Sequence, residues 1–381
     1  MNVLLMLNGI DGVNYHRLAA PYMRLARQGK IKLLVEVNLP YAVKKEEEKK
    51  YADHLKTEVF DLEDGKKVEG SERNQIDPIH TFPDELLDEV DICVFNRNIS
   101  PTLKPEFVFQ RLRKHGIKIV CDMDDSPKVD SKHVLRAVFN KMNMTNCILF
   151  NALSSDAISV TTPQLKKEIQ NFLKVPKKYI IAKNAIDYDD PQWEKYEKPQ
   201  NDSITFGWMG SVTHYEDLKI FSEGYKLSQQ PKLLIGGATR GDRVWDKVWD
   251  LFDGCDKIEF QGHKTVDEYA KLLYPYDVMV APLKDNRFNR NKSELKMLEA
   301  AALRKPIIVS DVYPYKNLID KNKNCLAVGN NAEEWANAID RLVNEPQYGE
   351  YLATNLRADV DNRYNLDNEN EKRLKLLQEL I

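Results

Sequence analysis

The sequence predicts an α/β protein made of two doubly wound parallel-sheet domains. Short apolar runs of the buried-strand type recur along the chain, from VLLML and KIKLLVEVN at one end to KLLIGGA and PIIVSD at the other. Amphipathic helical stretches separate them, and a strand–turn–helix–strand order makes neighbouring strands parallel. The alternation breaks in NAIDYDDPQWEKYEKPQND, between Asn184 and Asp202, and resumes near Ile204. A chain of 381 residues can bury two cores of ordinary size.

Each element has its own local reason. VLLML is the first strand, NGIDG a turn, and NYHRLAAPYMRLARQ a helix that Gly29 can end. KIKLLVEVN follows as the second strand. YAVKKEEEKKYADHLK is charge-rich and reads as a solvated helix or insertion. DICVFNR, KIVCDMDD, ISVTT and YIIAKN continue the first sheet. In the second half ITFGWMGS is a strand with a Gly turn. THYEDLKIFSEGYKL is a helix whose Thr213 and Glu216 have capping-box spacing. KLLIGGA, KIEFQG, VMVAPL and PIIVSD complete the second sheet. The expected domains are 1–185 and 186–360, with a terminal helix over 361–381 placed to pack back on the first.

Composition narrows the function. With 42% hydrophobic and 30% charged residues the chain has the make-up of a soluble globular protein. A formal net charge of -3 argues against a generally basic nucleic-acid binder, though a local basic groove stays open. The five cysteines are scattered and form no CxxC pair, which predicts neither a zinc site nor a disulfide framework. The apolar start reads as a strand, not a signal peptide, and no run has the length of a membrane span. The expected location is cytoplasmic, with peripheral membrane contact open.

Ligands of doubly wound sheets bind beyond the carboxyl ends of strands, beside helix N-termini. The unusual polar residues fall there. In NRNKSELKMLEAAALRKPIIVSD, Ser293 can cap a helix and Lys292 puts a cation where the helix dipole disfavours one. A bound phosphate would reverse that cost. Lys292, Lys296 and Glu299 share one helical stripe. The first and last are roughly 10 Å apart at about 1.5 Å of rise per residue, which suits a diphosphate at the helix start and a ribose further along. The plainer reading is a Lys296–Glu299 surface pair. In FGWMGSVTHYED, Gly210 permits close backbone approach and Ser211 offers a hydroxyl, while His214 stands at the helix start. In GIDGVNYHR, Gly9, Gly12, Asn14 and Arg17 follow the first strand, with Arg17 able to meet a ligand or pair with a carboxylate. Arg97 ends another strand with the same two options. In CDMDDSP, Asp122, Asp124 and Asp125 can cap, form a loop or, less readily, hold a divalent ion. GxGxxG, Walker and HExxH patterns are absent.

Taken together, GSVTHYEDL, YDVMVAPL and NKSELKMLEAAALRKPIIVSDVYPY resemble the donor-binding half of the GT-B glycosyltransferases, in particular the large retaining group known as family 4. DGVNYHRLAAPYMRL, IVCDMDDSP, SDAISVTTPQL and KNAID are similar to its N-terminal half. The resemblance implies two Rossmann-like domains facing a central cleft. It implies transfer of a sugar from a UDP- or GDP-sugar to a hydroxyl acceptor (glycan, lipid-linked or small molecule), with retention and without a required metal or cofactor. Gly210, Ser211, Asn291, Lys292, Ser293 and Glu299 would bind the donor, Glu299 through its ribose. Gly12, Asn14, Arg17 and Arg97 would face the acceptor. Asp124, Asp125 or His214 would assist the acceptor hydroxyl. The chain departs from the pattern in three places. Asn291 replaces the first glutamate of the family's pair. Asp124 and Asp125 stand where many members have a histidine. Arg304 replaces a glycine, so a different local turn is expected there. Two alternatives follow: the same chemistry on hydroxymethylated, phage-type DNA, or a silent nucleotide-sugar-binding protein. A nicotinamide-dependent oxidoreductase would need the missing GxGxxG.

Overall fold

A computed structural model describes residues 1–8, 11–37, 59–61, 84–99, 105–194, 203–237, 243–262 and 264–381. Gly9, the charge-rich stretch 41–56 and residues 195–202 of the interdomain seam lie outside them. The chain divides into two compact units, one of Met1–Pro127, Met142–Asn184 and Leu366–Ile381, the other of Lys128–Lys141 and Ala185–Asn365.

The first unit holds a seven-stranded sheet in the order β3-β2-β1-β4-β5-β6-β7. Its strands are β1 (Asn2–Leu7), β2 (Lys32–Val37), β3 (Val59–Asp61), β4 (Ile92–Asn96), β5 (Lys118–Met123), β6 (Ala157–Val160) and β7 (Lys178–Ile181). All neighbours are parallel except β2 and β3, which pair antiparallel. Val3, Leu5, Ile92 and Val94 enter one core with Leu18, Tyr22 and Leu25. Leu376 and Leu377 of the final helix, Leu366–Gln378, fill the same core. Arg24 Nε and Nη2 clamp Asp367 at 2.6 and 2.7 Å, and Asn370 Nδ2 donates to the carbonyl of Pro21 at 2.8 Å.

The first helix begins irregularly. Asp11 caps a turn over Gly12–Asn14, Tyr15–Ala19 is π-helical, and Ala20–Arg27 is α-helical. It stops at Gly29, whose φ of +67° is the left-handed conformation expected of that glycine.

The second unit holds a six-stranded parallel sheet in the order β10-β9-β8-β11-β12-β13. These are β8 (Thr205–Met209), β9 (Lys232–Gly236), β10 (Ile258–Gln261), β11 (Val278–Ala281), β12 (Ile307–Ser310) and β13 (Leu326–Val328). The pleat sends alternate residues to opposite faces. Phe206, Trp208, Val278, Val280 and Ile308 pack with the helices Tyr215–Leu227 and Ala332–Asn344. Met209, Met279, Ala281, Ile307 and Val309 pack with the helices Leu295–Ala302 and Pro346–Arg363. Strand order reverses between β8 and β11, and a ligand crevice is expected outside the carboxyl ends of strands at such a switch point.

Arg304 corrects an expectation. Its φ is +49°, so the turn keeps the left-handed conformation despite the side chain. The helix Leu295–Ala302 ends in a Schellman arrangement, with Arg304 N–H on Ala301 O at 3.1 Å and Lys305 N–H on Ala300 O at 2.9 Å. Those two bonds, and the buried Lys305 behind them, hold Arg304 in a conformation that a β-carbon disfavours.

Candidate functional site

In the second unit the loops after β8 and β11 enclose a cavity of about 300 Å³. Thr213, His214, Glu216 and Asp217 line it from the β8 side. Lys284, Asn286, Phe288, Asn289 and Lys292 line it from the β11 side, and Asp130 to Val134 complete the wall. This is the crevice that the strand reversal predicts. The segment Lys128–Lys141 joins it from the first half of the sequence, which no local pattern announces.

Backbone geometry brings the β8 loop close to its neighbour. Gly237, at φ +92°, lies so near Gly210 that a β-carbon there would stand 2.3 Å from the Gly210 oxygen. Glycine is therefore needed for the loops after β8 and β9 to pass. Ser211 is exposed, and its hydroxyl pairs with that of Thr213.

The expected capping box does not form. A 3-10 turn over Val212–His214 precedes the helix, which starts at Tyr215 with His214 as N-cap. Thr213 is held by Ser211, and Glu216 accepts from Lys284 Nζ at 3.0 Å. His214 thus stands just outside the helix rather than in its first turn. Its Nδ1 lies 2.7 Å from Asp217 Oδ2. Asp217 is 4% exposed, and its other oxygen accepts the Lys284 backbone N–H at 2.7 Å and Asn289 Nδ2 at 2.9 Å. Asp217 was missed in the sequence, although its position three residues after His214 is a legible pairing.

Lys292 and Ser293 also sit differently from expectation. The helix begins at Leu295 with Glu294 as its N-cap, so Ser293 does not cap it. Lys292 closes a separate 3-10 turn, Asn289–Asn291. Its conflict with the helix dipole is accordingly weaker than the sequence suggests, because that field fades beyond the first turn. Its ammonium lies 4.9 Å from the centroid of Phe288, on whose ring His133 also packs, centroids 5.0 Å apart. Asp130 Oδ2 accepts the Phe288 N–H at 3.1 Å. Lys292 remains on the cavity wall. Asn291 is 1% exposed. Its Nδ2 donates to Arg287 O at 2.8 Å, and its buried Oδ1 has no hydrogen-bond partner.

Glu299 is not on this wall, and its pair with Lys296 joins a buried carboxylate to a half-buried ammonium. Its carboxylate, 1% exposed, accepts the Tyr269 hydroxyl at 3.1 Å to each oxygen and Lys296 Nζ at 2.8 Å. Burial, then the neighbouring Glu299 charge, raise the Tyr269 hydroxyl well above its ordinary range, so it stays a neutral donor.

The first unit has its own polar cluster at the carboxyl ends of β1, β4 and β5. Arg17, 1% exposed, lies in the core. Its Nε and Nη2 hold Asp122 at 2.9 and 2.7 Å, and its Nη1 donates to Ala182 O at 2.8 Å and Asn184 Oδ1 at 2.9 Å. That commitment places Arg17 with its carboxylate rather than on an open surface. Arg97, at φ +50°, pairs through Nε with Asp124 Oδ1 at 3.2 Å. Asn96 Nδ2 donates to the same oxygen at 3.0 Å. Burial raises the Asp124 carboxyl, the Arg97 charge opposes it, and Asp125 adds to the rise. Asp122 and Asp124 are thus drawn to different cations. Among the described residues no group of three or more His, Cys, Asp or Glu is placed to hold a metal ion. Gly12 is exposed, and Asn14 is buried with its N–H on Asp11 Oδ1 at 2.8 Å.

Two α/β units, the second with a cavity at its switch point lined by three lysines, two histidines and three carboxylates, have the architecture of the GT-B fold. Residues 203–345, within the second unit, match the family model "Glycosyl transferases group 1". An uncharacterised glycosyltransferase of Methanocaldococcus jannaschii is 30% identical over 179 residues, 44% of this chain and 43% of that protein. The chain therefore matches less than half the length of this relative. Sucrose-phosphate synthase of Thermosynechococcus elongatus superposes with a TM-score of 0.67 at 16% identity, over 100% of this chain and 99% of that one. HepE of Anabaena, solved with UDP-glucose, gives 0.63 at 12% identity over the whole of both chains. At these identities the likeness is one of fold.

Proposed function

We propose that this chain transfers a sugar from a nucleoside-diphosphate sugar to a hydroxyl acceptor. The observation that carries the reading is the switch-point cavity within the stretch that matches the group 1 model, lined by His214 from the β8 side and by Lys284 and Lys292 from the β11 side. When the donor bond breaks, negative charge collects on the departing diphosphate. Preorganised cations and donors stabilise that charge. Lys292 is held at the cavity by Phe288, while the loop after β8 offers the exposed Ser211, whose hydroxyl pairs with that of the cavity-lining Thr213.

The ribose is assigned to Glu299, following the resemblance. A carboxylate has about four acceptor positions. Tyr269 and Lys296 use part of that capacity, and ribose hydroxyls would share the rest. UDP is the favoured nucleotide, since HepE was solved with UDP-glucose, with GDP next. Asp124, Asp125 and His214 are the candidates to assist the acceptor hydroxyl, and Gly12, Asn14 and Arg97 to face it. Retention and metal independence are part of the same reading.

The test is calorimetric titration with UDP, GDP and ADP and with their hexose conjugates, with and without Mg²⁺, followed by product analysis with hydroxylated acceptors. Selective binding of one diphosphate, with magnesium-independent transfer and an unchanged anomeric configuration, is expected. Absence of binding to every nucleotide would overturn the reading. Tight donor binding without transfer or hydrolysis across broad acceptor screens would favour the silent sugar-nucleotide binder.

A further inference from the structure

We infer that Asp217 is the positioning residue of the diphosphate cavity, fixing His214 with one carboxylate oxygen and the Lys284–Asn289 loop with the other. The inference rests on the proposed function and assigns a division of labour within its site. A carboxylate in the first turn of a helix is ordinarily solvated; burying one is costly unless its oxygens are satisfied. Asp217 is 4% exposed and takes hydrogen bonds from three places in the sequence. Oδ2 meets His214 Nδ1 at 2.7 Å, while Oδ1 takes the Lys284 N–H at 2.7 Å and Asn289 Nδ2 at 2.9 Å. Asn289 Nδ2 also donates to Lys284 O at 3.0 Å, which ties the loop to itself. All four residues line the cavity.

A carboxylate only accepts, so Asp217 fixes the proton of His214 on Nδ1 and leaves Nε2 as the nitrogen for a ligand. A phosphate oxygen also accepts, so it is met by the doubly protonated ring, with Nε2–H as donor. His214 then acts on the leaving diphosphate beside Lys292, and Asp217 acts only through His214 and the loop. Asn at 217 keeps an oxygen for Lys284 and Asn289, but its amide nitrogen cannot accept from Nδ1.

The experiment compares wild type, Asp217→Asn, His214→Gln and the double variant as full chains. Calorimetry measures the dissociation constants of UDP and of uridine. Nitrogen-15 NMR of labelled histidine reports the ring's protonation pattern, with the His214 signal assigned by its loss in His214→Gln. Asp217→Asn is expected to weaken UDP about tenfold while uridine changes by less than about twofold, as expected for losing one charge-assisted hydrogen bond. The double variant is expected to lose no more than about twofold beyond either single one. The His214 nitrogen signals are expected to move in Asp217→Asn. Multiplying losses, equal losses for uridine, or unmoved His214 signals would reduce Asp217 to a structural residue. If wild type binds UDP and Asp217→Asn binds it equally, this inference alone falls. If wild type binds no nucleoside diphosphate, the proposed function falls, and this inference with it.

Discussion

The hydroxyl of Tyr269 lies 3.1 Å from both carboxylate oxygens of Glu299, and Lys296 Nζ reaches the same hydroxyl at 2.6 Å. This three-residue knot is what distinguishes Glu299 from an ordinary helical acid. Removing the carboxylate would leave a half-buried lysine and tyrosine without their shared acceptor. Glu299→Ala is expected to lower stability by about 1–3 kcal/mol, the range for leaving hydrogen-bonding groups without their partner. Glu299→Gln keeps the volume and an acceptor, and should fold closer to wild type. If it does so while losing affinity for both UDP and uridine, the ribose assignment stands. A folded Glu299→Gln with unchanged nucleotide affinity would remove it.

Lys292 gives a sharper contrast. Its ammonium lies 4.9 Å from the centroid of the Phe288 ring. Lys292→Ala should cost about 1.5–3 kcal/mol of UDP binding, the worth of a charged hydrogen bond, with little effect on uridine. Equal losses measured by calorimetry would take Lys292 away from the phosphates.

Arg304 offers a stability test away from the cavity. A side chain in the left-handed conformation costs about 1–2 kcal/mol, and glycine gives back about 0.5–1 of it through its freer unfolded chain. Arg304→Gly should therefore raise stability by up to about 1 kcal/mol and lift the melting temperature slightly. A lower melting temperature would mean that the exposed side chain makes contacts worth more than the backbone relief.

The clamp between Arg24 and Asp367 sets an acid limit. The hydrogen bond from Arg24 holds the Asp367 carboxyl down at about 2, below its ordinary 3.8. A depressed folded-state value means stabilisation that is present above the ordinary value and lost as pH falls through about 2. Asp367→Asn should lower the melting temperature at pH 6 and make little difference near pH 2. An equal deficit at both would show that the loss is one of packing. The effect is small, because the Asp367 side chain is 38% exposed and water screens the pair.

How much was legible in the sequence follows from what each residue depends on. Eleven strands and the Gly29 stop are local: continuous apolar runs bounded by turn residues, and a glycine's freedom, act within a few residues. The strands β3 and β13 are three residues each, too short to carry a period. The sequence also determined that the unusual polar residues cluster after strands, since turns must be polar and strands apolar. Only tertiary structure decided what those residues do. Arg17 went into the core because Asp122 of β5 and Ala182 and Asn184 just after β7 arrive there to satisfy every nitrogen. Glu299 became a buried acceptor because Tyr269 comes from another segment to meet it. Lys128–Lys141 joined the second unit, and Asp217 became a hub, for the same reason. Hydrogen-bond satisfaction and charge pairing depend on which groups meet in space, and chain order does not carry that information.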